Sequence, residues 1–179
     1  MKIRRAIVGH DAAGRSIVLE DRDAPRVVDF TSLPGFTSGL LWATEGTPSV
    51  DVTTDTTMAI RSFVPAPGGT RLVMVKFPPD SVMGRADFDA AAFGAECLRE
   101  SPGLAETFEL DHPGMHTTDT IDYDIVLEGE ITLELDDKRE VLLRRHDVAV
   151  QHGTRHAWRN RSNQPATMLF VLIGATRGR

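Results

Sequence analysis

Three side chains in the second half of the chain are of the types that bind divalent metals: His116, Asp122 and His156. Side chains alternate across a β-strand, so His116, Thr118 and Asp122, which share parity, would point to the same face of a regular strand. A histidine and a carboxylate from one strand, with a second histidine from another, form a set that suits Fe(II) and related metals. The sequence therefore predicts a metal site of His116, Asp122 and His156.

The elements that must position these residues are strands. Apolar and polar residues alternate along 121–127 and 131–135, which is typical of half-buried strands. Strong strand signals also cover 71–77 and 168–173. Turn residues separate the strands at intervals of roughly 8–12 residues, and this spacing indicates a sandwich or a barrel. A barrel could place the three side chains together in its mouth.

The rest of the chain is predicted to surround this barrel, which takes residues 64–175. Residues 1–63 show short strand and turn signals without a helical period, so they are predicted as an N-terminal β extension that packs on the barrel or on a dimer partner. An extension of this length needs a sheet to join, which favours a homodimer. The Ala-rich segment 87–100 is predicted as a short helical insertion.

Composition argues against several classes of function. The chain has 179 residues, of which 41% are hydrophobic and 26% charged, as in an ordinary globular domain. Its net charge of −6 argues against nucleic acid as a partner. The single Cys97 cannot form an intramolecular disulfide. Neither a signal peptide nor an apolar run of membrane-spanning length is evident, so a cytoplasmic protein without a membrane partner is expected.

The spacing of the candidate residues resembles the two motifs of the cupin superfamily. In the first motif, G-x5-H-x-H-x3–4-E-x6-G, His116 takes the first histidine position and Thr118 the second. Asp122 takes the glutamate position and Gly129 that of the closing glycine. In the second motif, G-x5-P-x-G-x2-H-x3-N, the matching residues are Gly153, His156 and Asn160.

The second motif departs from the family pattern at two points. Gln151 stands in place of the proline, and His146 stands in place of the first glycine, with the front half one residue short. The resemblance covers about residues 105–175 and is to single-domain bacterial cupins (cupin 2 conserved barrel type) of uncharacterised function. It implies an all-β, double-stranded β-helix (jelly-roll) barrel with the β extension and the helical insertion added to it.

The same resemblance implies a small-molecule ligand in the barrel and a divalent metal (Fe, Mn, Ni or Zn), with dioxygenase, isomerase, cyclase or decarboxylase chemistry. Cupins commonly hold their metal through three histidines and a glutamate, whereas Thr118 has no imidazole and Asp122 is one methylene shorter. Two hypotheses therefore stay open, a metal-dependent enzyme and a non-catalytic, metal-free binding protein. The side chains predicted to line the pocket are Thr118, Asp124, Gln151, Trp158 and Asn160.

Overall fold

A computed structural model describes residues 1–51 and 54–178, which form mostly β-sheet. The polar stretch 53–57, predicted as a loop or a sheet edge, begins outside the described residues. No helix of the described ranges is long and apolar enough to cross a membrane. The elements are β1 (Arg4–His10), β2 (Ser16–Asp23), β3 (Arg26–Asp29), β4 (Thr37–Thr44), β5 (Thr70–Phe77), α1 (Ala90–Glu100), β6 (Thr120–Glu128), β7 (Glu130–Glu134), β8 (Glu140–Arg144), β9 (Val148–His152), β10 (Ala157–Arg159) and β11 (Ala166–Gly174).

Two antiparallel sheets share one hydrophobic core. The larger sheet has the strand order β3-β4-β5-β11-β6-β9, and the smaller has the order β10-β7-β8. Apolar side chains of both sheets meet between them because each strand turns alternate residues inwards. The predicted all-β, jelly-roll class is thereby confirmed. Core residues include Leu40, Val73, Val126, Ile131, Leu133, Leu143, Met168, Phe170 and Leu172.

Strand β6 presents the residues of the first motif to the interior. Along the strand, Thr120, Asp122, Asp124 and Val126 are buried, while Tyr123 is 42% exposed on the outer face. The strand lies between β11 and β9, so both of its edges are hydrogen-bonded. Asp122 and Asp124 share the inner face, as their parity predicts. The apolar residues Ile121, Tyr123 and Ile125 are less buried, which is the reverse of an ordinary half-buried strand.

Two turns of the barrel adopt the left-handed backbone region. Gly129, between β6 and β7, has φ +76°, and His146, between β8 and β9, also has φ +76°. Glycine adopts this region without a steric penalty, whereas a residue with a Cβ is strained there. His146 therefore keeps the turn conformation for which the cupin motif uses glycine.

The N-terminal strands lie in two places. Strand β4 pairs with β5, so β3 and β4 extend the larger sheet. Strands β1 and β2 form a separate two-stranded sheet. Because the extension and the barrel strands share a sheet, the boundary between residues 63 and 64 stays a prediction.

Helix α1 lies within the predicted helical insertion, and Glu96 fastens it to the loop after β3. The Glu96 carboxylate, 5% exposed, accepts hydrogen bonds from the amides of Thr31 (3.1 Å) and Ser32 (2.8 Å) and from both hydroxyls. Burial opposes ionisation, but these hydrogen bonds outweigh it and lower the pKa of Glu96 to about 2. The charged carboxylate therefore stabilises the fold.

Replacement of Glu96 by glutamine should lower the free energy of unfolding by about 1–3 kcal/mol at pH 7. The glutamine NH₂ group would then face the N–H and O–H donors of Thr31 and Ser32, to which it cannot hydrogen-bond as an acceptor. The folded-state pKa, about 2, lies below the ordinary value of 4.5. The stabilisation is therefore complete above the unfolded value and is lost as the pH falls towards the folded one. Urea unfolding at pH 7 and pH 3 should show that the wild-type advantage shrinks in acid. Equal advantages at both pH values would contradict this account. Glu100→Gln, on the same helix, is the control.

Candidate functional site

His116 and His156 lie opposite each other across an isolated antiparallel β-bridge. The His116 amide donates to the His156 carbonyl at 2.9 Å, and the His156 amide donates back at 3.0 Å. Both side chains are buried, and their ring centroids are 4.2 Å apart. This backbone pairing brings the two sequence motifs together at one point.

The hydrogen bonds of the two imidazoles determine their tautomers. Nδ1 of His116 lies 3.1 Å from the Gly114 carbonyl, and Nδ1 of His156 lies 2.9 Å from the Thr154 carbonyl. A carbonyl oxygen only accepts, so Nδ1 carries the proton in both rings and Nε2 keeps its lone pair. Neither Nε2 has a hydrogen-bond partner within the described part of the chain. Both rings are therefore set up to bind through Nε2.

Burial also keeps the two imidazoles neutral. It lowers the pKa of His116, and together with the proximity of His116 it lowers the pKa of His156 to about 4. At neutral pH both rings are thus in the form that binds metals.

Two carboxylates of β6 face the same interior. Asp122 is 5% exposed and Asp124 is fully buried, and the Oδ1 atom of each has no hydrogen-bond partner among the described residues. Burial raises the pKa of Asp122 to about 6 and, with the Asp122 charge contributing, that of Asp124 to about 7. An unpaired buried carboxylate oxygen costs free energy, so both atoms are suited to a cation or to a donor group of a ligand.

Gln151 and Thr118 complete the polar lining. Gln151 of β9 pairs with Asp122 in the sheet register, and its Nε2 donates to Oδ2 of Asp124 at 2.8 Å. The Thr118 and Thr120 hydroxyls hydrogen-bond to each other at 2.7 Å. Thr118, which replaces a histidine of the cupin motif, therefore hydrogen-bonds through its hydroxyl to a neighbouring side chain.

Aromatic rings pack around the histidine pair. Phe108 lies edge-on to His116, with ring centroids 4.8 Å apart, and Trp158 lies edge-on to His156 at 6.0 Å. The ring centroids of Phe170 and Trp158 are 5.7 Å apart. Phe108 belongs to neither motif, so only the fold reveals its position. The rings give the site an apolar wall.

Asn160 has a different environment from the other predicted pocket residues. It is 1% exposed, and its Nδ2 donates to the carbonyls of Phe77 (3.1 Å) and Gln164 (2.8 Å). Its Oδ1 accepts from the amide and hydroxyl of Ser162. The carboxamide thus holds the loop after β10 and ties it to the end of β5.

Arg177 joins the two motifs from the C-terminal segment. Its Nη2 donates to the Thr118 carbonyl at 3.1 Å and to the Gly153 carbonyl at 2.7 Å, and its Nε pairs with Asp119. Arg177 lies beyond the predicted end of the barrel at residue 175, and no motif marks it. One guanidinium therefore ties the segment before β6 to the turn before His156.

The three predicted metal ligands do not form a compact group. Within residues 1–51 and 54–178, the His, Cys, Asp or Glu set whose ligand atoms all lie within 4.8 Å of one another consists of Glu109, Asp111 and His112. Both Glu109 oxygens in that set already bind Arg155 at 2.6 Å. Holding one ion through His116, Asp122 and His156 therefore requires side-chain rearrangement.

Surface clefts lie elsewhere on the molecule. One of about 350 Å³ is lined by residues that include Arg161 and Glu140, and one of about 480 Å³ is lined by residues that include Arg71 and Glu45. Neither of these two clefts is lined by a predicted site residue.

Comparison with known proteins identifies the family. The Cupin domain model matches residues 109–172. Phomopsin biosynthesis cluster protein C' of Diaporthe leptostromiformis is 34% identical over 174 residues, which cover 96% of this chain and 78% of that protein. The chain belongs to the cupin superfamily. The predicted resemblance is thereby confirmed at the level of the superfamily.

Two further similar proteins are a fungal relative and a solved cupin structure. The cupin-domain-containing oxidoreductase virC of Hypocrea virens is 39% identical over 62 residues, covering 33% of this chain and 32% of that protein. An RmlC-like cupin with a double-stranded β-helix fold from Methanocaldococcus jannaschii has 11% identity and a TM-score of 0.38, covering 59% of this chain and 70% of that one. Both curated relatives named here are fungal, so the predicted bacterial type is not confirmed.

Proposed function

We propose that this cupin is a metal-dependent oxidoreductase that acts on a small molecule in the barrel, with a divalent metal held by His116, Asp122 and His156. The histidine pair carries the proposal: backbone carbonyls fix both Nδ1 atoms, and both Nε2 atoms are left to bind. The similarity to the cupin-domain-containing oxidoreductase virC supports the reaction class.

The donor set fits a divalent metal in its chemistry. Two neutral imidazoles and one carboxylate suit Fe(II) and related ions and leave coordination positions open for substrate. A bound Fe, Mn, Ni or Zn ion would supply Lewis-acid catalysis and, for Fe or Mn, redox chemistry. The buried Oδ1 of Asp122, which has no partner among the described residues, would gain one.

The chain's own residues would bind and orient the substrate. Phe108 and Trp158 offer apolar surface beside the two histidines, which excludes water and favours an apolar portion of the substrate. Asp124 Oδ1 offers one polar contact on the inner face of β6. A ring-bearing molecule with a polar substituent fits this combination.

Incubation of a small-molecule extract from the source organism with Fe(II)-reconstituted protein tests the proposal. Mass spectrometry should detect a compound that loses two hydrogens or gains oxygen with the wild type and stays unchanged with His116→Ala/His156→Ala. A complete absence of such a compound under aerobic conditions would count against the oxidoreductase.

A second candidate is a non-catalytic, metal-free binding protein. Two observations favour it: the Thr118 hydroxyl is hydrogen-bonded to that of Thr120, and the ligand atoms of the three predicted ligands do not all lie within 4.8 Å of one another. In this case the same aromatic and carboxylate groups would hold the ligand. Native mass spectrometry would then show a bound small molecule in protein that takes up no Fe, Mn, Ni or Zn.

A homodimer is proposed as the assembly. The β1–β2 hairpin forms its own sheet, with Val8 and Val18 paired across it and 70% and 62% exposed. A lone two-stranded hairpin is only marginally stable in water. The outer face of β6 and β9 also exposes Tyr123, Val148 and Val150 at 42%, 56% and 55%. A second copy related by a two-fold axis would cover both apolar surfaces.

Light scattering coupled to size-exclusion chromatography should show twice the chain mass for the wild type. Val8→Asp/Val18→Asp should shift the protein towards the monomer, because two charges would be buried at the interface. Val50→Asp, at a position 87% exposed outside both surfaces, is the matched control and should stay dimeric. A double variant that remains fully dimeric would contradict the proposed interface.

A further inference from the structure

A chain of hydrogen bonds links the inner face of β6 to His156. Gln151 Nε2 donates to Asp124 Oδ2 at 2.8 Å, and Gln151 Oε1 accepts from the Thr154 hydroxyl at 3.0 Å. The Thr154 carbonyl in turn accepts from Nδ1 of His156 at 2.9 Å. Gln151 and Asp124 are 4% and 0% exposed, so the first of these bonds is shielded from water.

The side chain at position 151 has to donate one hydrogen bond to Asp124 and accept another from Thr154. A glutamine donates from one end and accepts at the other, whereas a glutamate side chain accepts at both ends when ionised and a leucine does neither. The partners also fix the orientation of the amide, since the carboxylate of Asp124 accepts and the Thr154 hydroxyl can donate. The cupin motif has proline at this position, and a proline ring can make neither bond.

The backbone places the amide between the two motifs. Gln151 pairs with Asp122 in the sheet register, and Gly153 at φ +57° turns the chain so that Thr154 comes back over Gln151. A Cβ on Gly153 would lie 2.9 Å from the Thr118 carbonyl, so the turn is packed closely against the first motif. The strand that carries Asp122 and the turn that presents His156 are therefore joined through one side chain.

We propose that Gln151 is a positioning residue: by bonding Asp124 to Thr154 it fixes the turn whose carbonyl sets the tautomer and orientation of His156. Its effect on metal affinity rests on the proposed function, whereas its effect on the His156 ring does not. Groups that orient a metal-binding histidine typically change metal affinity by about 10–100-fold when they are removed.

Three variants separate this role from simple packing. Gln151→Leu removes both bonds, and Gln151→Glu sets two carboxyl groups against each other. The double variant Gln151→Glu/Asp124→Asn exchanges donor and acceptor, so the bond to residue 124 and the acceptor for Thr154 are both restored. His152→Gln, exposed on the outer face of the same strand, is the control.

Long-range ¹H–¹⁵N NMR of metal-free protein identifies the tautomer of His156. A Co(II) titration followed by visible absorption measures the affinity of the site for the metal. The wild type should show a single Nδ1–H tautomer at His156. Both single variants should show mixed tautomers and bind Co(II) about 10–100-fold more weakly. The double variant should return both readouts towards the wild-type values, and the control should not move them.

The proposal is overturned if Gln151→Leu keeps the wild-type tautomer, or if the donor–acceptor exchange gives no rescue. If the wild type takes up no Co(II), the proposed function fails, but the NMR readout still decides the role of Gln151. If Gln151→Leu does not fold, Thr154→Val, at an exposed position, removes the same contact and should mix the tautomers; an unchanged His156 signal there would also overturn the proposal.

Discussion

Replacement of His156 by alanine should abolish stoichiometric metal binding. The variant removes one of only two imidazoles at the site, and Thr118, which hydrogen-bonds to the Thr120 hydroxyl, has no imidazole to replace it. The backbone bridge between residues 116 and 156 uses only main-chain atoms, so the fold should survive the change. Elemental analysis after anaerobic Fe(II) reconstitution and desalting should give about one ion per wild-type chain and background for the variant.

The matched control for this prediction is His152→Ala. His152 lies four residues before His156 and is exposed on the outer face of β9. This variant should keep the wild-type metal content, whereas stoichiometric metal retained by His156→Ala would remove that residue from the site. Thermal unfolding of the three proteins in parallel checks that metal loss does not reflect loss of structure.

Gly129→Ala should be the most destabilising of the predicted changes to the barrel. Gly129 has φ +76°, and a Cβ there would lie 2.6 Å from the Pro165 carbonyl oxygen and 3.0 Å from Cα of Ala166. A left-handed residue with a Cβ costs roughly 1–2 kcal/mol, and overpacking adds about 1–3 kcal/mol. Because total stability is typically about 5–15 kcal/mol, urea unfolding should show a loss of a large part of it.

Gly14 offers a control with the same backbone conformation and no neighbours. Its φ is +77°, and nothing lies within 4 Å of a Cβ built on it. Gly14→Ala should therefore cost only the roughly 1–2 kcal/mol of the backbone strain. Equal losses of unfolding free energy for the two variants would contradict the claim that the close approach of Pro165 and Ala166 adds to the cost at Gly129.

Parity was sufficient to predict that Asp122 and Asp124 share one face of β6, because a strand has a side-chain period of two. The apolar–polar alternation alone would have buried Ile121, Tyr123 and Ile125 instead, so the choice of the inner face depended on the cupin resemblance. The spacing of helix formers likewise predicts α1. The periodic segments and the turns between them predict a sandwich or a barrel, and the cupin resemblance implies the jelly-roll; the structure agrees with both.

Contacts between distant segments could not be predicted in the same way. Nothing in the sequence pairs His116 with His156 through the backbone, and nothing indicates that Arg177 would bind both motifs. Spacing alone also cannot show that the carboxamide of Asn160 is used by its own loop. These features depend on side-chain geometry at the points where strands from different parts of the chain meet.

Anomalous diffraction from crystals of Fe(II)- or Mn(II)-reconstituted protein is the decisive measurement for the proposed metal site. We expect one strong peak about 2.0–2.2 Å from Nε2 of both His116 and His156 and from a carboxylate oxygen of Asp122. A peak among Glu109, Asp111 and His112 instead, or no peak beside the histidine pair, would contradict it.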